Sequence, residues 1–217
     1  MTDFAARRTI MVDTQVRPSD VTKFPIIDAM LSIAREEYVP DGKREAAYVG
    51  ENIALDDNRV ILEPRTLAKM LDALDIQPDE LVLDLGCGLG YSAAILASLS
   101  DFVIAVEEDE SRANEAQEIL SAQGVDNVAV VAGPLAEGNE KNGPYDVIMV
   151  QGAVESVPSQ ILNQLKDGGR MACIFAEGML GTAKIGYKID GEMVWRHGFS
   201  AGAPVVTGFE APREFAL

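Results

Sequence analysis

The stretch from Leu81 to Leu99 constrains this chain most. Leu81-Val82-Leu83-Asp84-Leu85 is apolar except for one acid. It runs straight into Gly86-Cys87-Gly88-Leu89-Gly90 and then into an apolar-rich segment that starts at Tyr91. A short apolar run bounded by turn residues reads as a strand buried on both faces. Glycines at alternate positions read as a sharp turn that another group can approach closely, because no Cβ stands in the way. A strand, a glycine turn and a helix in that order make half of a βαβ unit. Open α/β sheets bind their ligands at the carboxyl ends of such strands.

The pattern continues downstream. Strands are predicted over 102–106, 128–131, 145–150 and 170–175. Helices are predicted between them over 111–121, stopped by Gly124, and over 158–165, stopped by Gly168-Gly169. Apolar strands alternating with helices imply a parallel sheet. The end departs from this: 183–189 and 192–199 flank Asp190-Gly191, a strong hairpin signal, so the sheet should finish with antiparallel strands. Upstream, a helix is predicted over 20–36, capped by Asp20 and carrying Ile26, Ile27, Met30, Leu31 and Ile33. A second should begin at Pro64, with Leu67, Met70, Leu71 and Leu74 on one face, and 39–63 reads as irregular. The predicted fold class is α/β, a Rossmann-like, doubly wound, mostly parallel sheet with a C-terminal antiparallel hairpin and an N-terminal helical extension. It forms one domain over 1–217, with an extension and substrate-side loop over 1–63, a core over 64–178 and antiparallel strands over 179–217.

Composition narrows the chemistry. The hydrophobic share of 47% suits a packed core, and no apolar run reaches the ~18 residues of a membrane helix. The start, with Arg7-Arg8 and no apolar block after them, does not read as a signal peptide. Cys87 and Cys173 lack metal-ligand spacing and read as reduced core thiols of a cytoplasmic protein. His197 is the sole histidine, which leaves no zinc set, and no GxSxG elbow would serve it as a hydrolase base. The net charge of −17 argues against nucleic acid. Residues 51–160 hold 21 acidic and only 5 basic side chains, so that segment carries nearly all of the excess. Such a surface keeps the chain in solution, or draws in a cationic ligand.

The glycine spacing separates two ligand classes. A dinucleotide fingerprint, GxGxxG, would need a third glycine at 91, where Tyr91 stands. The pattern is instead Asp84-x-Gly86-x-Gly88-x-Gly90. A second acid, Glu107, ends the next strand, where a carboxylate can accept hydrogen bonds from ribose hydroxyls.

These residues resemble the cofactor motif of S-adenosylmethionine-dependent methyltransferases, and the likeness extends along the chain. Met11-Val12, Gln15-Val16-Arg17, Ala29-Met30, Tyr38-Val39-Pro40 and Ala46-Ala47-Tyr48 are similar to the opening of the protein-L-isoaspartate O-methyltransferase family. Val106-Glu107, Gly143-Pro144-Tyr145-Asp146, Val157-Pro158, Leu162, Gln164-Leu165-Lys166 and Gly168-Gly169-Arg170 resemble its later segments. The resemblance implies methyl transfer from S-adenosylmethionine to the free carboxylate of isoaspartyl residues in damaged proteins, while the charge and the lack of a long apolar run leave no nucleic-acid or membrane partner expected. It implies cofactor contacts from Asp84, Gly86, Cys87, Gly88, Gly90, Glu107 and the run Gly133-Pro134-Leu135.

The chain departs from the family pattern twice. Where the family has Gly-Gln-Thr-Ile-Ser-Gln-Pro, this chain has Asn58-Arg59-Val60-Ile61-Leu62-Glu63-Pro64, so the serine assigned to the substrate side is Leu62. The catalytic group is thereby left unassigned. Where the family has Gly-Asp-Gly, its Asp is replaced by Pro134. Arg59, Ile61 and Arg65 are the substrate-side candidates. Arg59 and Arg65 flank Leu62 and either fork a substrate carboxylate or sit singly on the surface. Two further outcomes stay open: a relative with a small-molecule acceptor, and a cofactor-binding protein that has lost turnover. A nucleotide-dependent oxidoreductase ranks below all of these.

Overall fold

In the computed structural model, residues 3–177 and 180–212 are described. The chain opens with α1 (Phe4–Met11), whose first turn is capped by the Asp3 carboxylate accepting from Ala6 N–H at 3.0 Å. One wider turn carries it on to Val16, with Val12 and Val16 buried. The helix expected over 20–36 is the shorter α2 (Phe24–Ser32). Asp20 does not cap it. It has a left-handed backbone, φ 65°, at the end of the preceding turn, and Pro25 sits in the first turn of α2, a favoured place for proline. The 39–63 stretch is mostly tight turns, closed by a small antiparallel hairpin of β1 (Ile53–Ala54) and β2 (Val60–Ile61). Then α3 (Pro64–Leu74) begins at its proline and buries Leu67, Met70, Leu71 and Leu74, as expected.

The parallel layer consists of β3 (Leu81–Leu85), β4 (Phe102–Glu107), β5 (Val128–Ala132), β6 (Tyr145–Val154) and β7 (Leu165–Glu177). Between them lie α4 (Tyr91–Ala97), α5 (Glu110–Ala122) and the short α6 (Ser159–Asn163). The antiparallel strands β8 (Leu180–Ile189) and β9 (Glu192–Ser200) complete a seven-stranded sheet in the order β5-β4-β3-β6-β7-β8-β9. Asp190 and Gly191 both take left-handed backbones at the hairpin tip, φ 52° and 81°. The predicted strands β6 and β7 are longer than expected. Irregularities in register let Ala153 and Val154 pair with Ile174 and Phe175. The expected division at 178/179 lies outside the described residues.

Alternation along each central strand sorts the core into two layers, since successive side chains point to opposite faces. Val82, Val103, Ala105, Val147 and Met149 pack with α3, α4 and the N-terminal extension. Leu83, Leu85, Ile104, Val106, Ile148 and Val150 pack with Leu135, Ile161 and Phe209 on the other face. The chain leaves β3 toward β4 and β5, then returns to place β6 on the other side of β3. That reversal opens a crevice at the carboxyl ends of β3 and β6, the position where open α/β sheets take ligands. Among the described residues no helix is long and apolar enough to cross a membrane.

Candidate functional site

Two buried carboxylates stand at the carboxyl ends of β3 and β4, with Gln151 buried beside them within β6. Asp84, on the last turn of β3, is fully buried; its carboxylate accepts from Ser92 Oγ at 2.6 Å and from Gln151 Nε2 at 2.7 Å. Burial pushes its carboxyl up to about 6, against the lowering effect of those hydrogen bonds and of nearby Arg59. Asp84 thus ties α4 and β6 to β3. Past it, the chain turns through Gly86 and Gly88 with φ 87° and 59°, conformations that side chains with a Cβ rarely adopt. Gly86 N–H donates to Val106 C=O at 2.8 Å, which locks the turn to β4. Cys87 is buried here, and desolvation raises its thiol well above the ordinary range, so it is no nucleophile.

Glu107 closes β4 and is fully buried. The predicted ribose acceptor is already saturated. Oε1 accepts from Arg59 Nη1 at 3.0 Å and Arg112 Nη1 at 3.2 Å, while Oε2 accepts from Arg59 Nη2 at 3.0 Å and Gly88 N–H at 2.9 Å. The Arg59 bridge is bidentate, the geometry in which guanidinium and carboxylate bind best. The Arg59 side chain is 2% exposed. The two surface placements expected for Arg59 and Arg65 are therefore corrected for Arg59: its neighbours Val60–Leu62 are buried and draw it inward. Arg65 remains half exposed, stacked 5.6 Å over the Phe199 ring, with Nη1 3.9 Å from Glu63. One arginine faces the glycine turn and the other faces β9, so no fork forms across Leu62.

The hairpin β1–β2 supplies what fills the glycine turn. A Cβ at Gly86 would lie 2.7 Å from Arg59 Nη2 and 3.5 Å from Leu135 Cδ1, and one at Gly88 would lie 2.7 Å from Leu55 Cδ1. The room the glycines leave is occupied by this chain's own side chains. The hairpin tip is also held from outside, by Asp56 accepting from Arg112 Nη2 at 2.6 Å. The gap that remains beside Val60, Leu62, Gly86, Cys87, Tyr91 and Gln151 is about 10 Å³. That is space for about one water molecule, where a small-molecule site commonly offers ~300 Å³ or more. Arg59 and Leu55 thus occupy the space directly over the glycine turn, and a wider groove of about 320 Å³ lies just outside it against Leu55, Leu89 and Arg112. A cavity of about 670 Å³ lies at the opposite end of the sheet between Phe24, Leu71, Pro78 and Leu99.

The other predicted residues lie around this centre. Gly90 precedes α4 with φ 97°. Gly133 N–H donates to Glu107 C=O at 3.0 Å, and Pro134 is exposed and has no N–H to offer. Leu135 is buried against the glycine turn. Ile61 and Leu62 are buried; the latter turns its side chain into the core and offers its C=O to Arg35 Nη2 at 2.8 Å. Arg35 was not among the predicted residues. It is fully buried, stacks 4.6 Å from the Tyr91 ring centre and binds Ala47 C=O at 2.8 Å. Among the described residues no carboxylate is bonded to it, and burial lowers its affinity for the proton. Its sequence signal was an arginine directly after the apolar stripe of α2. Arg112 was also missed; it lies one turn into α5, on the side that returns to Glu107.

Comparison with known proteins places these features in a family. Solved protein-L-isoaspartate O-methyltransferases share the fold: one superposes with a TM-score of 0.78 at 24% identity over 94% of this chain and 65% of its own. Another, from Plasmodium falciparum and solved with S-adenosyl-L-homocysteine, gives 0.78 at 17% identity over 94% and 98%. In sequence, the chain is 37% identical to the protein-L-isoaspartate O-methyltransferase of Syntrophus aciditrophicus over 79% of this chain and 78% of that protein. It is 36% identical to that of Koribacter versatilis over 79% and 77%. The sequence model of the protein-L-isoaspartate(D-aspartate) O-methyltransferase family matches residues 8–194. The chain therefore belongs to the protein-L-isoaspartate O-methyltransferase family.

Proposed function

We propose that this protein is an S-adenosylmethionine-dependent carboxyl methyltransferase acting on isoaspartyl residues of damaged proteins. The family match over residues 8–194 carries this reading. The placement of Asp84, the glycine turn and Glu107 at adjoining strand ends supports it. The acceptor in such chemistry is a carboxylate, itself a nucleophile. Alignment and exclusion of water matter more than a general base, so a site without a free histidine or thiolate is adequate. Asp84, Gly86, Cys87, Gly88, Gly90, Glu107 and 133–135 form the cofactor side of this proposal. Ile61 and Arg65 form its substrate side.

The test is methyl transfer from labelled S-adenosylmethionine to an isoaspartyl peptide, with the normal aspartyl peptide as control and Leu62→Ser alongside. Transfer confined to the isoaspartyl peptide is the expected result, with Leu62→Ser at least as active as the parent. A hydroxyl that binds a charged group is worth ~1.5–3 kcal/mol. Cofactor binding without transfer to either peptide would overturn the assigned acceptor. A second reading, a family member that keeps the fold without turnover, is favoured by one observation: the ion pair that Arg59 makes with Glu107. Absence of both binding and transfer would select it.

A further inference from the structure

The family's cofactor site and this chain's closed site demand the same two oxygens. Glu107 can serve ribose hydroxyls only with oxygens that Arg59 now engages, at 3.0 Å each. The space over Gly86 and Gly88 is taken by Arg59 and Leu55, both from the tip of the β1–β2 hairpin. The tip is a single unit. Leu55 N–H donates to Arg59 C=O at 2.8 Å, and Asn58 N–H to Asp56 at 2.9 Å. Moving it removes both obstructions together.

We propose that the β1–β2 hairpin is a built-in latch on the methyl-donor site, in which Arg59 competes with the donor for Glu107 and so sets its affinity. The inference rests on the methyltransferase reading of this site. Three features make the latch one that opens rather than a permanent plug. Glu107 keeps Arg112 and Gly88 N–H when Arg59 leaves, so its charge is never orphaned. Arg59 Nε is buried without a hydrogen-bond partner, so the seated guanidinium is one bond short and regains it in water. The outer catch is exposed on one side, Asp56 at 44% against 16% for Arg112, so solvent screens it more than the buried Arg59–Glu107 pair. A site that is open for only a fraction of the time binds with its affinity reduced by that fraction.

The experiment titrates S-adenosyl-L-homocysteine into the parent protein, Arg59→Gln and Asp56→Asn by calorimetry, with circular dichroism to verify folding. Arg59→Gln is expected to bind at least ten-fold more tightly than the parent, and Asp56→Asn about three-fold. Glu107→Gln introduced beside Arg59→Gln should abolish the gain. Equal affinity in parent and Arg59→Gln would overturn the latch, and so would absence of binding in both. If Arg59→Gln does not fold, Asp56→Asn decides alone: a tighter complex supports the latch and an unchanged one overturns it. The two readings fail separately. Tight binding and methyl transfer by the parent sink the latch and leave the function standing. Tight binding by Arg59→Gln without transfer from any variant sinks the function and leaves the latch.

Discussion

The turn after β3 and the hairpin that covers it are only a few ångströms apart, yet they follow different rules. The turn keeps the glycine pattern read from the sequence: buried Asp84 and Glu107 flank it at the carboxyl ends of β3 and β4. The hairpin has departed from the family pattern. Arg59 stands at the family's glutamine, Val60 at its threonine and Leu62 at its serine. Polar groups that could meet a ligand have become one charge directed at Glu107 and two apolar side chains. A frame and its occupant are thus separable. The strands fix where a ligand site must lie, while a nine-residue hairpin of 53–61 decides whether the site is open.

The comparison can be broken most forcefully at Glu107. Glu107→Ala leaves buried Arg59 with only its longer single contact to Glu108 Oε1, at 3.3 Å, and strips Gly88 N–H of its acceptor. A loss of ~3–5 kcal/mol in urea unfolding is expected; a loss under ~1 kcal/mol would mean that the pair is not buried as described. Asp84 gives a smaller effect of opposite sign. Its carboxyl is raised to about 6 from an ordinary 3.8, so it holds more protons folded than unfolded between those values. Stability from this group is present below about pH 4 and is lost as pH rises toward 6. Asp84→Asn keeps both partners and should gain on the order of 2 kcal/mol over the parent above pH 6, with the advantage fading toward pH 4. A constant difference between pH 4 and 7 would contradict this. The smallest effect belongs to Asp56→Asn, whose half-exposed ion pair with Arg112 should cost no more than ~1 kcal/mol in the same unfolding measurement. A larger loss would assign the hairpin a structural duty beyond covering the turn.

Much of the frame was legible in the sequence. Leu81–Leu85 and Phe102–Glu107 are short apolar runs, the signature of strands buried on both faces, and Val128–Ala132 is a similar run at the half-buried sheet edge. The hairpin at Asp190-Gly191 was legible from its two turn residues alone. The N-terminal region was harder. Asp20 has the chemistry of a helix cap, but Pro25 can start a helix equally well, and the chain uses the proline. The short helix Phe4–Met11 was missed because Arg7 and Arg8 mask its single buried residue, Met11. Within the site, Asp84 and Glu107 were legible because each ends a predicted strand. Arg59 was legible as a candidate, but its burial against Glu107 was not, because a charged residue in a turn-rich stretch normally faces water. Its partner lies 48 residues away, and only the apolar run Val60–Leu62 beside it hinted at burial.

The closure of the glycine turn has an inner bond and an outer one, and dissolved ions reach only the outer. Arg59 and Glu107 are sheltered, while Asp56 meets Arg112 at the surface. Raising ionic strength from about 0.01 M to 1 M shortens the screening distance from ~30 Å to ~3 Å, which loosens surface pairs and leaves buried ones nearly untouched. A protein carrying a net charge of −17 is held in solution by self-repulsion that the same ions remove. Salt therefore acts on this molecule twice, relaxing the whole acidic surface while slackening the outer hold on the Arg59 hairpin. The accessibility of the crevice becomes a property of the surrounding electrolyte as well as of the fold.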